Sequence, residues 1–219
     1  EGRATFGTTI AYNRLVFGFD TKLHERVDFR TRTTFGLDNV GFTAGSDIFA
    51  NTRLFPVISR NTFTIDVPEA KLTVATGLDF QMLPYTLEIQ APPPPQVGQI
   101  PDPFASRRLV ADRTSVFQVE PALFAEAIWK PVEPLKLVAG IRGDYNSVMN
   151  KAWADPRLSV LWPAHERVLV KGGVGIYHQP PDYRQGLLSK KFGNPDLMPE
   201  GARQAMVGGE FRFTDAISL

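Results

Sequence analysis

Cysteine is missing from all 219 residues, so disulfides and thiolate-bound zinc are excluded. Histidine occurs only as His24, His165 and His178. The first two stand in turn-like stretches, each followed by a glutamate, and no HExxH spacing is present, so neither a metal nor a cofactor site is expected. No G-x-S-x-G occurs, which leaves a serine hydrolase of that type without its nucleophile turn. Charge of one sign is also lacking. The 24 Lys and Arg are dispersed and stand against 23 Asp and Glu, so no polyanion-binding surface is expected and nucleic acid is not a partner. No run comes near the roughly 18 uncharged apolar residues of a membrane helix. The glycine cluster at 172–175 lies inside a strand-like stretch rather than between strand and helix, which rejects a nucleotide loop. The opening EGRATFG has no Met, basic n-region or apolar h-region, and the end at 217–219 falls where a strand should start. The sequence reads as a fragment, with any secretory signal removed or outside it.

What is present is alternation. In 135–145 one set is Leu135, Leu137, Ala139, Ile141, Gly143 and Tyr145, and the other is Lys136, Val138, Gly140, Arg142 and Asp144. In 117–129 Phe117, Val119, Leu123, Ala125, Ala127 and Trp129 oppose Gln118, Glu120 and Glu126. In 168–178 Val168, Val170, Val174 and Ile176 oppose Lys171, Gly173, Gly175 and Tyr177. Such period-two segments are strands with two different environments. A meander of them, greasy on one side and charged or glycine-rich on the other, suggests a barrel wall with lipid outside and water inside.

The first half is less regular. The spacing predicts a strand over 4–19, a polar connection over 20–25, and a strand over 27–37. A hairpin turn is expected at 38–41, where Asn39 and Gly41 suit positive φ, with a return strand over 42–50. Residues 51–60 read as loop, 62–67 as a weak strand closed by Pro68, and 71–82 as a clean strand. The stretch 84–113, with four consecutive prolines at 92–95, reads as a long surface loop. About ten strands result. The fold class is all-β, an antiparallel meander of a transmembrane outer-membrane β-barrel.

Five pieces carry a family resemblance: GIRGD at 140–144, PRLS at 156–159, GVGIYHQPP at 173–181, NPDLMPE at 194–200 and GGE at 208–210. Their order, with PALFAEAIWKP at 121–131 ahead of them, resembles the barrel of TonB-dependent outer-membrane receptors. That resemblance implies a barrel of twenty-two strands around an N-terminal plug, of which 1–219 supplies about half the wall and no plug. It implies energised uptake of a scarce nutrient such as a ferric siderophore, cobalamin, a metal chelate or a glycan. Expected partners are the plug, the TonB energy-coupling protein, outer-membrane lipid and lipopolysaccharide, and a small nutrient ligand. Location would be the outer membrane of a Gram-negative bacterium, and no enzyme activity is expected. The alternatives are a passive porin-like channel and a soluble all-β carbohydrate-binding module.

Connection lengths orient such a wall, because periplasmic turns are short and extracellular loops long. The turns at 132–134, 164–167 and 214–216 then face the periplasm, and 84–113, 146–155 and 179–203 face outward. Trp129, Tyr145 and Trp162 fall at strand ends as interfacial aromatics. Glu126, Arg142, Asp144, Lys171, Tyr177, Glu210 and Arg212 point into the lumen toward a plug, as do Glu120 and Lys136. The inward glycines leave space for that plug. The outer loop offers Tyr183, Arg184, Lys190, Lys191, Phe192 and Asn194 as ligand-binding side chains.

Overall fold

The computed structural model describes residues 5–93, 108–181, 192, 197–214 and 217–218. Its strands are β1 (Phe6–His24), β2 (Val27–Ala44), β3 (Ile48–Leu54), β4 (Val57–Val67), β5 (Leu72–Ala91), β6 (Val110–Trp129), β7 (Lys136–Asn146), β8 (Lys151–His165), β9 (Val168–Gln179), β10 (Glu200–Thr214) and β11 (Ile217–Ser218). They form one eleven-stranded sheet among the described residues, every pairing antiparallel. β3 and β4 are two halves of one strand. Asp38 pairs with Leu54 and Phe35 with Val57, so the register on β2 runs on unbroken. The ladder bridges the interruption: Gly36 N–H donates to Pro56 O at 2.8 Å and Phe55 N–H to Pro84 O at 3.0 Å. Pro56 has no N–H to give, and neither has Pro84 facing Phe55, so the ladder is incomplete on both sides of the interruption.

Several sequence expectations are corrected. Residues 38–41 are not a turn but the middle of β2, paired with β1 on one side and β3 on the other. The chain reverses instead at 45–47, where Gly45 has φ 67, a conformation that costs a glycine little. The polar stretch 20–24 continues β1 against β2. The expected loop at 51–60 is the β3–β4 strand. The long loop at 84–113 is shortened from both ends, since β5 runs to Ala91 and β6 starts at Val110, paired along their whole lengths. The connection 146–155 shrinks to 147–150, between β7 and β8. The loop at 179–203 starts after Gln179 and ends at Glu200. Pro68 does open the connection after β4, in a short 3-10 turn over Pro68–Ala70.

The two faces follow the alternation. On one, Leu15, Phe17, Phe35, Leu78, Leu123, Ile141, Leu158 and Val174 all stand exposed. On the other are Asp20, Arg32, Arg60, Asp79, Glu126, Arg142, Asp144 and Arg157, joined by ion pairs that cross strands except for Arg142–Asp144 within β7. No second layer packs on the apolar face among the described residues: Phe211 is 41% exposed and Leu137 and Val170 are half-exposed.

This assignment reverses partway up β1, β2, β3, β5 and β6. Leu37, Phe55, Pro84 and Phe117 stand in one register row and end the apolar stripe. In the next rows the same face carries Asn39, Arg53, Thr86 and Ser115, then Gly41, Asn51, Glu88 and Arg113. The opposite face turns apolar there, with Leu54, Tyr85 and Leu87 only 6%, 3% and 3% exposed. No register shift occurs at the row, so the side chains keep their alternation while their chemistry changes sides.

Candidate functional site

The charged face is built by cross-strand neighbours in register. Arg60 on β4 pairs directly with Asp79 on β5, and its Nε and Nη2 donate to the two carboxylate oxygens at 2.6 Å each. Arg142 of β7 also donates to Asp79 and, from Nε and Nη2, to Asp144 at 3.0 and 2.8 Å. Asp79, 15% exposed, thus sits between two guanidinium groups. Further along, Asp20 accepts from Arg30 at 3.0 Å and from Arg32 at 2.6 Å. Arg157 reaches Glu126 at 2.7 Å, and Lys171 reaches Glu210 at 2.8 Å. A cavity of about 410 Å³ opens on this face beside Arg32, Arg60, Asp79, Gln81, Glu120 and Arg142.

Beside that cavity two amides hold the Glu120 carboxylate. Asn146, fully buried, donates from its Nδ2 to Glu120 and accepts the N–H groups of Val148 and Met149 at 3.0 Å each. Gln118 Nε2 donates to the same Glu120 oxygen at 2.8 Å. Ser147 N–H continues the β6–β7 ladder to Val119 O at 3.0 Å. Asn146 thus ties the short β7–β8 connection to the sheet and satisfies the N–H groups of Val148 and Met149.

The sequence matches the family described as TonB dependent receptor-like, beta-barrel, over residues 2–219. The chain belongs to that family. No curated protein matches it by sequence. Among solved structures, the copper transporter OprC superposes with a TM-score of 0.69 at 11% identity, covering 93% of this chain and 36% of that one. The siderophore receptor PiuA from Acinetobacter baumannii gives 0.68 at 11% identity, with 95% and 38% covered. The ferric citrate transporter FecA in its unliganded form gives 0.63 at 11%, with 93% and 32% covered. At this identity the likeness establishes the fold, and this chain spans about a third of each of those proteins. The family is one of outer-membrane receptors and transporters for nutrients rather than enzymes, and its barrels are multi-strand walls of the Gram-negative outer membrane.

In a TonB-dependent receptor barrel the exposed apolar stripe meets lipid and the charged face meets the lumen. The stripe has the height this needs. From Phe117 to Trp129, at about 3.4 Å per residue and a tilt of about 45°, β6 rises roughly 29 Å, against a hydrocarbon core of about 30 Å. Trp129 and Trp162 stand exposed at the ends of β6 and β8 that carry the short connections. Tyr145 is at the other end of β7, its hydroxyl donating to Asn150 Oδ1 at 3.1 Å. These are the positions of an aromatic girdle.

Of the residues singled out in the sequence, Glu126, Arg142, Asp144, Lys171 and Glu210 lie on the charged face and are all ion-paired. Arg212 is exposed on the same strand as Glu210, with its backbone N–H on Arg167 O at 2.8 Å. Tyr177 shares that face, lying over Gly175 with its hydroxyl 2.7 Å from where a Cβ would sit. Gly175 makes way for Tyr177, Gly140 for the stem of Arg157, and Gly36 for the guanidinium of Arg14. Phe192 is a half-buried turn residue; Tyr183, Arg184, Lys190, Lys191 and Asn194 lie outside the described residues. Sequence reasoning missed Arg60, Asp79 and Arg157, the partners that complete the lumen network. The parity of β5, with Leu78 and Phe80 on the apolar side, already placed Asp79 there.

Proposed function

We propose that this chain is part of the wall of a larger, closed TonB-dependent receptor, which takes up a scarce nutrient across the outer membrane using energy delivered through TonB. The observation that carries this reading is the lumen face itself. Its carboxylates and guanidiniums form a connected, half-exposed lattice centred on Asp79, suited to a polar domain held inside the barrel and released when pulled. Arg142 and Asp144 are the proposed plug contacts, with Glu126, Lys171, Tyr177, Glu210 and Arg212 around them. The ends of the strands carrying the connections 92–109 and 180–199 face the outside, and the short connections face the periplasm. Tyr183, Arg184, Lys190, Lys191, Phe192 and Asn194 then stand where a ligand arrives. OprC is a copper transporter, PiuA a siderophore receptor and FecA a ferric citrate transporter; a metal or its chelate is the ligand class to try first.

The test is uptake by cells carrying the full-length receptor, with labelled copper and labelled ferric siderophores offered separately. Uptake of one of them should stop when the proton-motive force is collapsed or TonB is deleted. Entry that continues unchanged in both cases would show a passive channel and overturn the proposal.

A further inference from the structure

β6 runs on past the strand beside it. Its pairing with β7 ends at Ala122–Asp144. The last bonds above that are Ser147 N–H to Val119 O at 3.0 Å and Val119 N–H to Ser147 Oγ at 2.8 Å. Pairing with β5 continues to Val110 without a register shift. From Val110 to Gln118, β6 is therefore held on one side and is a bare sheet edge on the other, among the described residues. We infer that this edge takes up an extended strand from an extracellular protein. The inference rests on the proposed orientation, in which this end of the strands faces outward.

Three observations carry it. Backbone parity comes first. In an antiparallel ladder the N–H and C=O of one residue point to the same side, and the side alternates along the strand. Val119 turns both its groups toward β7. Phe117, Ser115, Arg113 and Ala111 do the same, at a level where no strand receives them among the described residues. Only another extended backbone matches such a row, spread over roughly 20 Å at about 3.4 Å per residue. Second, the side chains that could shield the edge lean away from it. Arg113 is drawn toward β5 by Glu88 at 3.2 Å, and Ser115 by the hydroxyl of Thr86 at 3.2 Å. The stretch holds no proline, lysine or bulge, the devices that close natural edges to other chains. Third, direction excludes a second copy in the same membrane. Two identical edges pair symmetrically only about an axis normal to the sheet. In a barrel wall that axis lies in the membrane plane and would turn the copy upside down. The strand therefore comes from a different protein. Phe117, 64% exposed at the lower end of the edge, calls for an apolar residue beside it.

The experiment uses the full-length receptor in detergent and a fluorescently labelled peptide with the sequence of Tyr85–Ala91, a strand that β6 already accepts on its other side. Anisotropy should report binding. The same peptide N-methylated at every residue keeps its side chains but has no amide to donate, and should bind at least about tenfold more weakly. Equal binding of the two forms, or binding of neither, overturns the inference, and that comparison needs no variant to fold. Ser115→Pro removes an N–H that the β5 ladder does not use and sets a ring in the path of an incoming strand. The folded variant should lose the unmethylated peptide to the same degree; undiminished binding would place the peptide elsewhere and overturn the inference. Orientation is separated by offering the peptide to cells carrying the receptor. Intact cells should bind it. Binding in detergent and to permeabilised cells but not to intact ones overturns the orientation, and with it the extracellular source of the strand. Failure in detergent overturns the strand site alone.

Discussion

Arg157 reaches Glu126 across the strand between them, Nη2 to Oε2 at 2.7 Å, with its stem lying over Gly140. Gly140 pairs with Glu126 on one side and Arg157 on the other, so the three form a single row. A Cβ on Gly140 would stand 3.1 Å from Arg157 Nε. The glycine thus sets the reach of this arginine, as Gly18 does for Arg32.

Gly140→Val should break that ion pair while leaving the strand intact. Both side chains are partly exposed, so their coupling is modest, about 0.2–1 kcal/mol. A double-mutant cycle of Glu126→Gln with Arg157→Gln should show this coupling in the parent receptor and none in the Gly140→Val background. Coupling that persists in that background would mean the arginine finds another path and the glycine serves a different purpose.

Gly77→Ala should be far more damaging. A Cβ there would collide with the backbone oxygen of Asn61 on β4, which cannot swing away, and with Phe124 Cζ at 2.8 Å. Overpacking of this kind costs about 1–3 kcal/mol or more. The variant should assemble poorly, seen as a reduced folded fraction in heat-dependent gel mobility. Gly208→Ala, with nothing within 4 Å of its Cβ position, is the matched control.

The lipid face makes a graded prediction. Val174 pairs with Leu158 and Ala205 in mid-stripe, whereas Val170 pairs with Trp162 near the short-turn end. Arginine at the bilayer midplane of such a barrel costs about 2–4 kcal/mol, falling to about 0–1 at the interface. Val174→Arg should therefore destabilise the barrel strongly and Val170→Arg little. Lys171→Ala, on the lumen face, should remove only its exposed pair with Glu210. Chemical denaturation in lipid vesicles measures all three, and equal midpoints for the two valine variants would show the stripe has no depth axis.

Strands and faces from Phe117 onward were legible because each of those segments keeps one chemistry per face over the length it crosses. β7 shows it plainly: Ile141 and Tyr145 out, Arg142 and Asp144 in. The first half was misread for a physical reason. β2, β5 and β6 continue beyond the bilayer, where the outer face becomes polar and the inner one apolar, and a reader following apolar residues sees the pattern fail. Asn39 and Gly41 then look like a turn, and Thr86 and Glu88 look like loop, although both pairs sit in regular ladders. The lumen network was half legible. Arg142 and Asp144 lie two apart on one strand, but the third member, Asp79, comes from a strand sixty-three residues earlier, a proximity that only the register supplies.

The reversal itself predicts where a leucine matters. Leu87 lies past the row on the inner face and is 3% exposed, while Leu78 lies in the lipid stripe and is 39% exposed in the bare chain. Truncating a packed leucine removes its contacts and leaves a cavity, costing about 2–5 kcal/mol. At a lipid-facing position the acyl chains close over the missing atoms, so the same change costs less. Leu87→Ala should therefore destabilise the barrel more than Leu78→Ala, although a single outward-apolar rule for every strand ranks them the other way. Thr86→Leu, beside Leu87 but on the opposite face, should bring no gain in stability if that face meets water and headgroups. Unfolding in lipid vesicles decides it: a larger loss for Leu78→Ala, or stabilisation by Thr86→Leu, would place the upper rows in hydrocarbon.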